Sequence, residues 1–299
     1  MRKSKCEYRT KYGCCFQGDI EILLKSEEFD SYKKRVSLIF TSPPFPLNRK
    51  KKYGNLNGTQ YIKWLTGITT SLRDYLAPDG SLVIEMGNAW DEQGPTMSTL
   101  PLETLLAIKK SGDYKLCQQF VWFNTAKLPT PVQWVNIKRS RVKDSFTHLW
   151  WMSKSVEPKA NNRNILELYS DSMKKLLKNR KYNSGLRPSE HSIGSESFLI
   201  DNGGAIPSNV LVATNTTSNS HYLNECKRTG TTPHPARMPI SIAQFFIRFL
   251  TNEQDLVFDP FAGSNTTGEV CEAEKRRWLS VEVDRDYVEG SKLRFQNVK

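Results

Sequence analysis

The residues that decide the fold are Asp259-Pro260-Phe261-Ala262-Gly263-Ser264-Asn265-Thr266-Thr267-Gly268. They follow Leu256-Val257-Phe258, which reads as a short buried strand, and lead into a helix expected from about Thr267 to Lys275. A small-residue turn between a strand and a helix brings backbone N–H groups close to a ligand at the carboxyl edge of a parallel sheet. Nineteen positions after Gly263, in the next expected strand (Trp278 to Val283), stands Glu282. An acid about 20 residues beyond such a turn suits the hydroxyls of a ribose. The G-x-G-x-x-G pyrophosphate fingerprint and the G-x-x-x-x-G-K-[ST] phosphate loop are both missing. The pattern therefore favours a nucleoside without a phosphate chain, such as S-adenosylmethionine. Taken alone, the same residues also suit a capped β–α turn with no ligand.

Toward the N-terminus, Val36-Ser37-Leu38-Ile39-Phe40-Thr41 is a second β-rich run, and Thr41-Ser42-Pro43-Pro44-Phe45 follows it directly. The two prolines fix φ and stiffen the backbone, so the segment can aim Ser42 and the Pro43 carbonyl outward. Out of context it is equally a turn-forming proline pair. Tyr61 to Leu76 places Ile62, Leu65, Ile68, Leu72 and Leu76 at helical intervals. Pro78-Asp79-Gly80 predicts a turn, and Ser81 to Met86 a strand. A helix near Leu102 to Lys110, a strand near Gln119 to Phe123, and a helical face of Ile240, Ala243, Phe246, Ile247 and Leu250 complete the regular pattern. Strands alternating with helices predict an α/β fold built on a parallel sheet.

Of the 299 residues, 43 are Lys or Arg and 31 are Asp or Glu, a net charge of +12 that favours a polyanionic partner, nucleic acid first. The irregular stretch 124–234 holds sixteen basic and eight acidic residues, so most of the excess lies there. It carries a helix near Leu166 to Leu177 and reads as an insertion that grips phosphates. Basic and aromatic residues interleave in Arg49-Lys50-Lys51-Lys52-Tyr53 and in Trp134-Val135-Asn136-Ile137-Lys138-Arg139-Ser140-Arg141, which suits contact with backbone phosphates and unpaired bases. No apolar run is long enough for a transmembrane helix and none follows the basic N-terminus as in a signal peptide, so no membrane association and a cytoplasmic location are expected. The six cysteines show no Cys-x-x-Cys spacing, so reduced thiols and no metal site are expected. His148, His191 and His221 have no neighbours that suggest catalysis and read as surface or core residues.

Asp-Pro-Phe-Ala-Gly-Ser-x-Thr-Thr together with Ser-Pro-Pro-Phe resembles the amino-methyltransferases that modify DNA bases. The order, catalytic motif, basic segment, cofactor motif, resembles the β class. Within it the chain is similar to the PvuII-type modification methylases, which are cytosine-N4 enzymes. The likeness covers most of the chain, including Arg49 to Leu56, Trp122-Phe123-Asn124, Lys127-Leu128-Pro129, Trp134-Val135-Asn136, Asp201-Asn202-Gly203-Gly204, His234-Pro235-Ala236-Arg237 and Phe245-Phe246-Ile247-Arg248. It implies a Rossmann-like methyltransferase fold: a mostly parallel twisted sheet with helices on both faces and a smaller target-recognition region. The expected division is residues 1–123 for the catalytic part, 124–233 for target recognition and 234–299 for the cofactor part.

The resemblance also implies a mechanism: methyl transfer from S-adenosylmethionine to N4 of a cytosine flipped out of double-stranded DNA. Ser42 Oγ and the Pro43 carbonyl would accept the amino hydrogens, and Phe45, beside Pro44, would stack on the base. Glu85 is a further catalytic candidate, although the pattern usually has Asp there; a solvated or ion-paired carboxylate is the other reading. Phe261, Ala262 and Gly263 would pack on the cofactor, and Asp259, Ser264 and Thr266 of the same turn would bind it too. Glu282 would bind the ribose, Gly18-Asp19 the adenine side, and His234-Pro235 the methionine carboxylate. Arg49, Lys50, Lys51, Lys138, Arg139 and Arg141 would contact DNA. No Pro-Cys nucleophile is present, which excludes the cytosine-C5 chemistry. Ser rather than Asp or Asn at position 42 favours cytosine-N4 over adenine-N6. The alternatives are an adenine-N6 enzyme, a non-catalytic DNA-binding protein on the same fold, and an RNA or protein methyltransferase. The likeness further implies the modification half of a type II restriction–modification system acting as a monomer or weak dimer, with CAGCTG as a candidate site. A cognate endonuclease would share the site without needing to bind.

Overall fold

The computed structural model describes residues 5–45, 56, 58–91, 94–215 and 220–295. It divides into two compact units, Met1–Ala160 with Asn209–Lys299, and Asn161–Ser208. The larger unit is organised by one nine-stranded sheet. In chain order its strands are β1 (Lys5–Arg9), β2 (Gly13–Gln17), β3 (Val36–Thr41), β4 (Leu76–Gly87), β5 (Lys115–Phe123), β6 (Phe146–Ser153), β7 (Val210–Val212), β8 (Leu256–Asp259) and β9 (Arg277–Glu282). The spatial order is β1-β2-β9-β8-β3-β4-β6-β5-β7. The run β2-β9-β8-β3-β4 is parallel throughout, and β6 is antiparallel to both its neighbours.

All six residues of β3 and all four of β8 are buried, as central strands covered on both faces must be. Their alternate side chains feed two cores. Ile39, Leu82, Ile84, Phe258 and Leu279 face one, with Tyr61, Leu65, Ile68 and Leu72 of α3 (Gly58–Leu72) and with Leu105 and Ile108 of the helix Leu100–Ser111. Ile20 and Leu23 of α1 (Ile20–Leu23) and Phe29 of α2 (Glu27–Asp30) join the same core. Leu38, Phe40, Val83, Val257 and Trp278 face the other, against the Ile240–Leu250 helix, the Thr266–Ala273 helix and Val288 of the Arg285–Ser291 helix. Helices therefore cover both faces, as expected, at roughly 1.5–3 kcal/mol per fully buried large apolar side chain.

Three expectations change. The Pro78-Asp79-Gly80 turn is no chain reversal: β4 runs continuously from Leu76, and the segment is a bulge, since Val36 pairs with Leu76 while Leu38 pairs with Ser81. The 124–234 stretch is not one inserted body, because it contributes β6 and β7 to the main sheet; only Asn161–Ser208 forms a separate unit. The helix expected at Leu166 to Leu177 begins later, at Asp171, where Ser170 Oγ caps it by accepting from the Met173 N–H, and it runs to Asn179. Within that smaller unit, strands Gly185–Leu186 and Ser192–Ile193 pair antiparallel, and the Tyr182 ring meets Phe198 edge-on at 5.4 Å.

Candidate active site

Strands β3 and β8 lie side by side, but the chain leaves them in opposite directions. From β3 it crosses by α3 to β4, and from β8 by the Thr266–Ala273 helix to β9 on the far side. The carboxyl ends of two such strands border a crevice that no crossover covers. Ser42–Phe45 leave β3 there, and Pro260–Ser264 leave β8. A cavity of about 720 Å³ opens between them, in the upper part of the roughly 300–1,000 Å³ typical of small-molecule sites. Gly18, Asp19, Ser42, Pro43, Pro44, Phe45, Glu85, His234, Asp259, Phe261, Ala262, Gly263, Ser264, Thr266 and Glu282 all line it. Pro235 does not. Arg49, Lys50 and Lys51 lie outside the described residues.

On the β3 side, the pairing of Thr41 with Ile84 sets Ser42 beside Glu85, where its hydroxyl favours the charged carboxylate. Glu85 is 5% exposed. Burial pushes its carboxyl up to about 7, against the opposing effects of Ser42, Thr147 and the Lys127 ammonium. The Thr147 hydroxyl lies outside ordinary hydrogen-bond geometry, and its buried Oγ1 on the cavity wall has no partner among the described residues. Lys127, also on that wall, is 3.7 Å from Asp144, which accepts at 2.8 Å from Asn88 Nδ2. The Phe45 ring lies on Gly87, where a Cβ would stand 2.7 Å from it.

On the β8 side, Asp259 is a brace rather than a free ligand. Its Oδ1 accepts from Thr41 Oγ1 (2.8 Å) and the Phe261 N–H (3.2 Å), and its Oδ2 accepts from Thr267 Oγ1 (2.6 Å). Burial raises its carboxyl to about 6 against those three bonds. It ties the two motifs together and shapes the turn. Glu282 accepts from the Gly263 N–H at 2.7 Å and the Asp284 N–H at 2.9 Å, so the turn amide is turned onto the acid. Burial raises the Glu282 carboxyl. Gly263 has φ +52°, and a Cβ there would meet the His234 ring at 3.1 Å, so the position requires glycine. Asp19 caps the Ile20–Leu23 helix, its Oδ1 accepting from the Glu21 N–H at 2.8 Å. Thr266 Oγ1 is buried at the cavity with no partner among the described residues.

These residues fit S-adenosylmethionine: an unpartnered hydroxyl for a polar group, an acid for a diol, a glycine that admits close approach, and apolar rings for the rest. Sequence reasoning missed two of those rings. Tyr61 and Trp64 of α3 reach the cavity, Trp64 touching Phe261 at 5.7 Å between ring centroids. Trp64 stands at the edge of the apolar stripe of α3, and that was the available signal. Thr147 gave none. Among the described residues no cluster could hold a metal ion.

The basic residues divide. Lys138 and Arg139 are exposed after a π-helical turn (Gln133–Ile137), with Lys138 Nζ over the Trp134 ring at 4.6 Å. Arg141 is half-buried and engaged otherwise: its guanidinium sits 3.8 Å from the Trp90 ring centroid and donates to the Pro95 carbonyl. His148 is a core residue held by Gln119 and Asn88, both at 3.0 Å.

Comparison with known proteins agrees with this geometry. The N6/N4 methyltransferase family, described as DNA methylases, matches residues 36–293. The type II methyltransferase M.PvuII of Proteus hauseri is 43% identical over 293 residues, 97% of this chain and 86% of that one. M.BglII of Bacillus subtilis is 24% identical over 85% of this chain and 62% of its own. The solved structure of a cytosine-N4-specific PvuII DNA methyltransferase superposes with TM-score 0.79 at 36% identity, covering 99% of this chain and 92% of that one. The M1.HpyAVI–SAM complex shares the fold at TM-score 0.57 and 16% identity.

Proposed function

The chain belongs to the N6/N4 family of DNA methylases, and from that premise we propose that it methylates the exocyclic N4 of a cytosine flipped out of double-stranded DNA. The observation that carries the proposal is the placement of Ser42 beside the buried Glu85 carboxyl on one wall of a cavity whose other wall is the Asp259–Ser264 turn. When bound, S-adenosylmethionine supplies an electrophilic methyl group on a sulfonium. The chain's own residues prepare the acceptor. Cytosine N4 is a poor nucleophile because its lone pair is delocalised into the ring. Ser42 Oγ, with its hydroxyl proton directed to Glu85, keeps lone pairs free to accept one amino hydrogen, and the Pro43 carbonyl accepts the other. That localises the lone pair toward the methyl donor, so catalysis is mostly positioning and electrostatics. Methylation leaves the nitrogen with a proton to lose, and Glu85, titrating at about 7, takes it through Ser42. Phe45, backed by Gly87, offers its ring to the base.

Thr266 and Glu282 suit the polar parts of the cofactor, and Trp64 and Phe261 its apolar parts. Lys138 and Arg139 are the phosphate contacts this geometry favours. Target recognition belongs to 124–233, with Asn161–Ser208 as its separate part and strands β6 and β7 as its root in the sheet. The natural role is the modification enzyme of a restriction–modification system in the cytoplasm, as a monomer or weak dimer. Incubation with labelled S-adenosylmethionine and duplex DNA, then nucleoside analysis, tests the proposal. N4-methylcytosine is expected; N6-methyladenine alone would refute the assignment of base, and no transfer would refute the activity.

A further inference from the structure

Arg294 lies one residue beyond the stretch that the family matches, in the turn Lys292–Arg294 after the Arg285–Ser291 helix. It is 7% exposed. A buried guanidinium is unfavourable unless its donors are used, and here they converge on the cofactor turn. Nε donates to the Ser264 carbonyl at 2.5 Å and Nη2 to Ser264 Oγ at 2.8 Å, while Nη1 donates to the Glu269 carboxylate. The guanidinium also lies over the Tyr222 ring, 4.3 Å from its centroid. Tyr222 OH accepts the His234 N–H at 3.2 Å, and the His234 ring is what a Cβ on Gly263 would meet. One side chain thus braces Gly263 from both directions, through Ser264 on one side and through Tyr222 and His234 on the other.

We propose that Arg294 is the positioning residue of the cofactor turn, setting the gap between Ser264 and His234 into which S-adenosylmethionine fits. This rests on the methyltransferase reading. Lysine keeps the charge but cannot reproduce a planar fork that bonds Ser264 twice and Glu269 at once. Arg294→Lys should therefore raise the dissociation constant for S-adenosylmethionine about tenfold or more, the scale of a lost charge-assisted hydrogen bond. KM for the cofactor should rise in step and the melting temperature without ligand should fall, since buried bonds to Ser264 and Glu269 are lost, whereas kcat at saturating cofactor and KM for DNA should stay close to wild type. Tyr222→Phe, which keeps the ring but removes the acceptor for His234 N–H, should weaken the cofactor in the same sense by a smaller factor, and it covers the case in which Arg294→Lys fails to fold. The readouts are calorimetric titration with S-adenosylmethionine alone, steady-state kinetics and thermal unfolding. Cofactor affinity unchanged in both variants overturns the proposal, as does a lower melting temperature with unchanged affinity. Wild-type protein that bound no S-adenosylmethionine would instead overturn the methyltransferase reading beneath it.

Discussion

Replacing Glu85 by Gln should make the protein more stable and nearly inactive, with both effects governed by pH. Glu85 is buried and its carboxyl titrates at about 7 rather than 4.5. Below the lower value both folded and unfolded chains carry the proton, and the residue has no pH-dependent effect on stability. Between the two values the unfolded chain releases its proton and the folded chain does not, so stability falls as pH rises, and the loss is complete above about 7. A shift of this size corresponds to about 3 kcal/mol. Gln does not titrate, its oxygen can still accept from Ser42, and its amide can donate to Thr147 Oγ1, which is buried without a partner among the described residues. Urea denaturation at pH 8 should show the Gln variant more stable by up to about 3 kcal/mol, and the difference should shrink toward pH 5. A variant less stable than wild type at pH 8, or a difference that ignores pH, would refute the reasoning. Turnover should fall by roughly 10²- to 10⁴-fold, and the rise of wild-type kcat/KM through pH 7 should vanish with it.

Ser42→Ala should lower kcat by roughly 100-fold or more, the scale of losing one preorganised polar contact, while calorimetry finds cofactor binding unchanged; equal kcat removes Ser42 from the mechanism. Gly263→Ala combines left-handed backbone with a close approach to His234, so thermal unfolding should show a loss of about 1–2 kcal/mol and titration a weaker cofactor. Alanine at it without either effect would mean that the turn has room to relax. Lys138→Ala with Arg139→Ala should reduce the slope of log affinity against log salt for duplex DNA by about 1.8, with cofactor affinity untouched; an unchanged slope would place the phosphate contacts elsewhere.

What could be read from the sequence was whatever sits in continuous chain. Val36 to Thr41 announces itself by β-branched and apolar residues, and Asp259 to Gly268 by small residues between a strand and a helix. Their adjacency in space is not in the α/β pattern, which leaves strand order open; it comes from the pairing of β3 with β8. Strand β6 escaped notice because Leu149-Trp150-Trp151-Met152 directly follows a basic, irregular stretch, and a short apolar run is as readily helix as strand. Strands β1 and β2 are too short and mixed to show a period. The Pro78-Asp79-Gly80 signal is local and correct as a departure from regular pairing, but only the neighbouring strand decides between a reversal and a bulge. Side-chain roles that depend on what faces them were invisible. Asp259 looks like a ligand in the sequence, yet all its strong bonds go to the protein. Arg141 looks like a phosphate contact, yet it is occupied by Trp90 and Pro95. Arg294 gives no local sign that it reaches Ser264, 30 residues earlier.

The bond from Thr41 to Asp259 joins residues 218 positions apart, and strands β3 and β8, which pair beside it, are just as far apart in sequence. Closing so large a loop is slow and entropically unfavourable before the contacts inside it form. During synthesis Ser42–Phe45 leave the ribosome long before Leu256–Asp259. Until then β3 lacks a parallel neighbour on one side and the crevice has a single wall. The two walls of the crevice therefore come together in a single event, when Leu256–Asp259 docks beside β3.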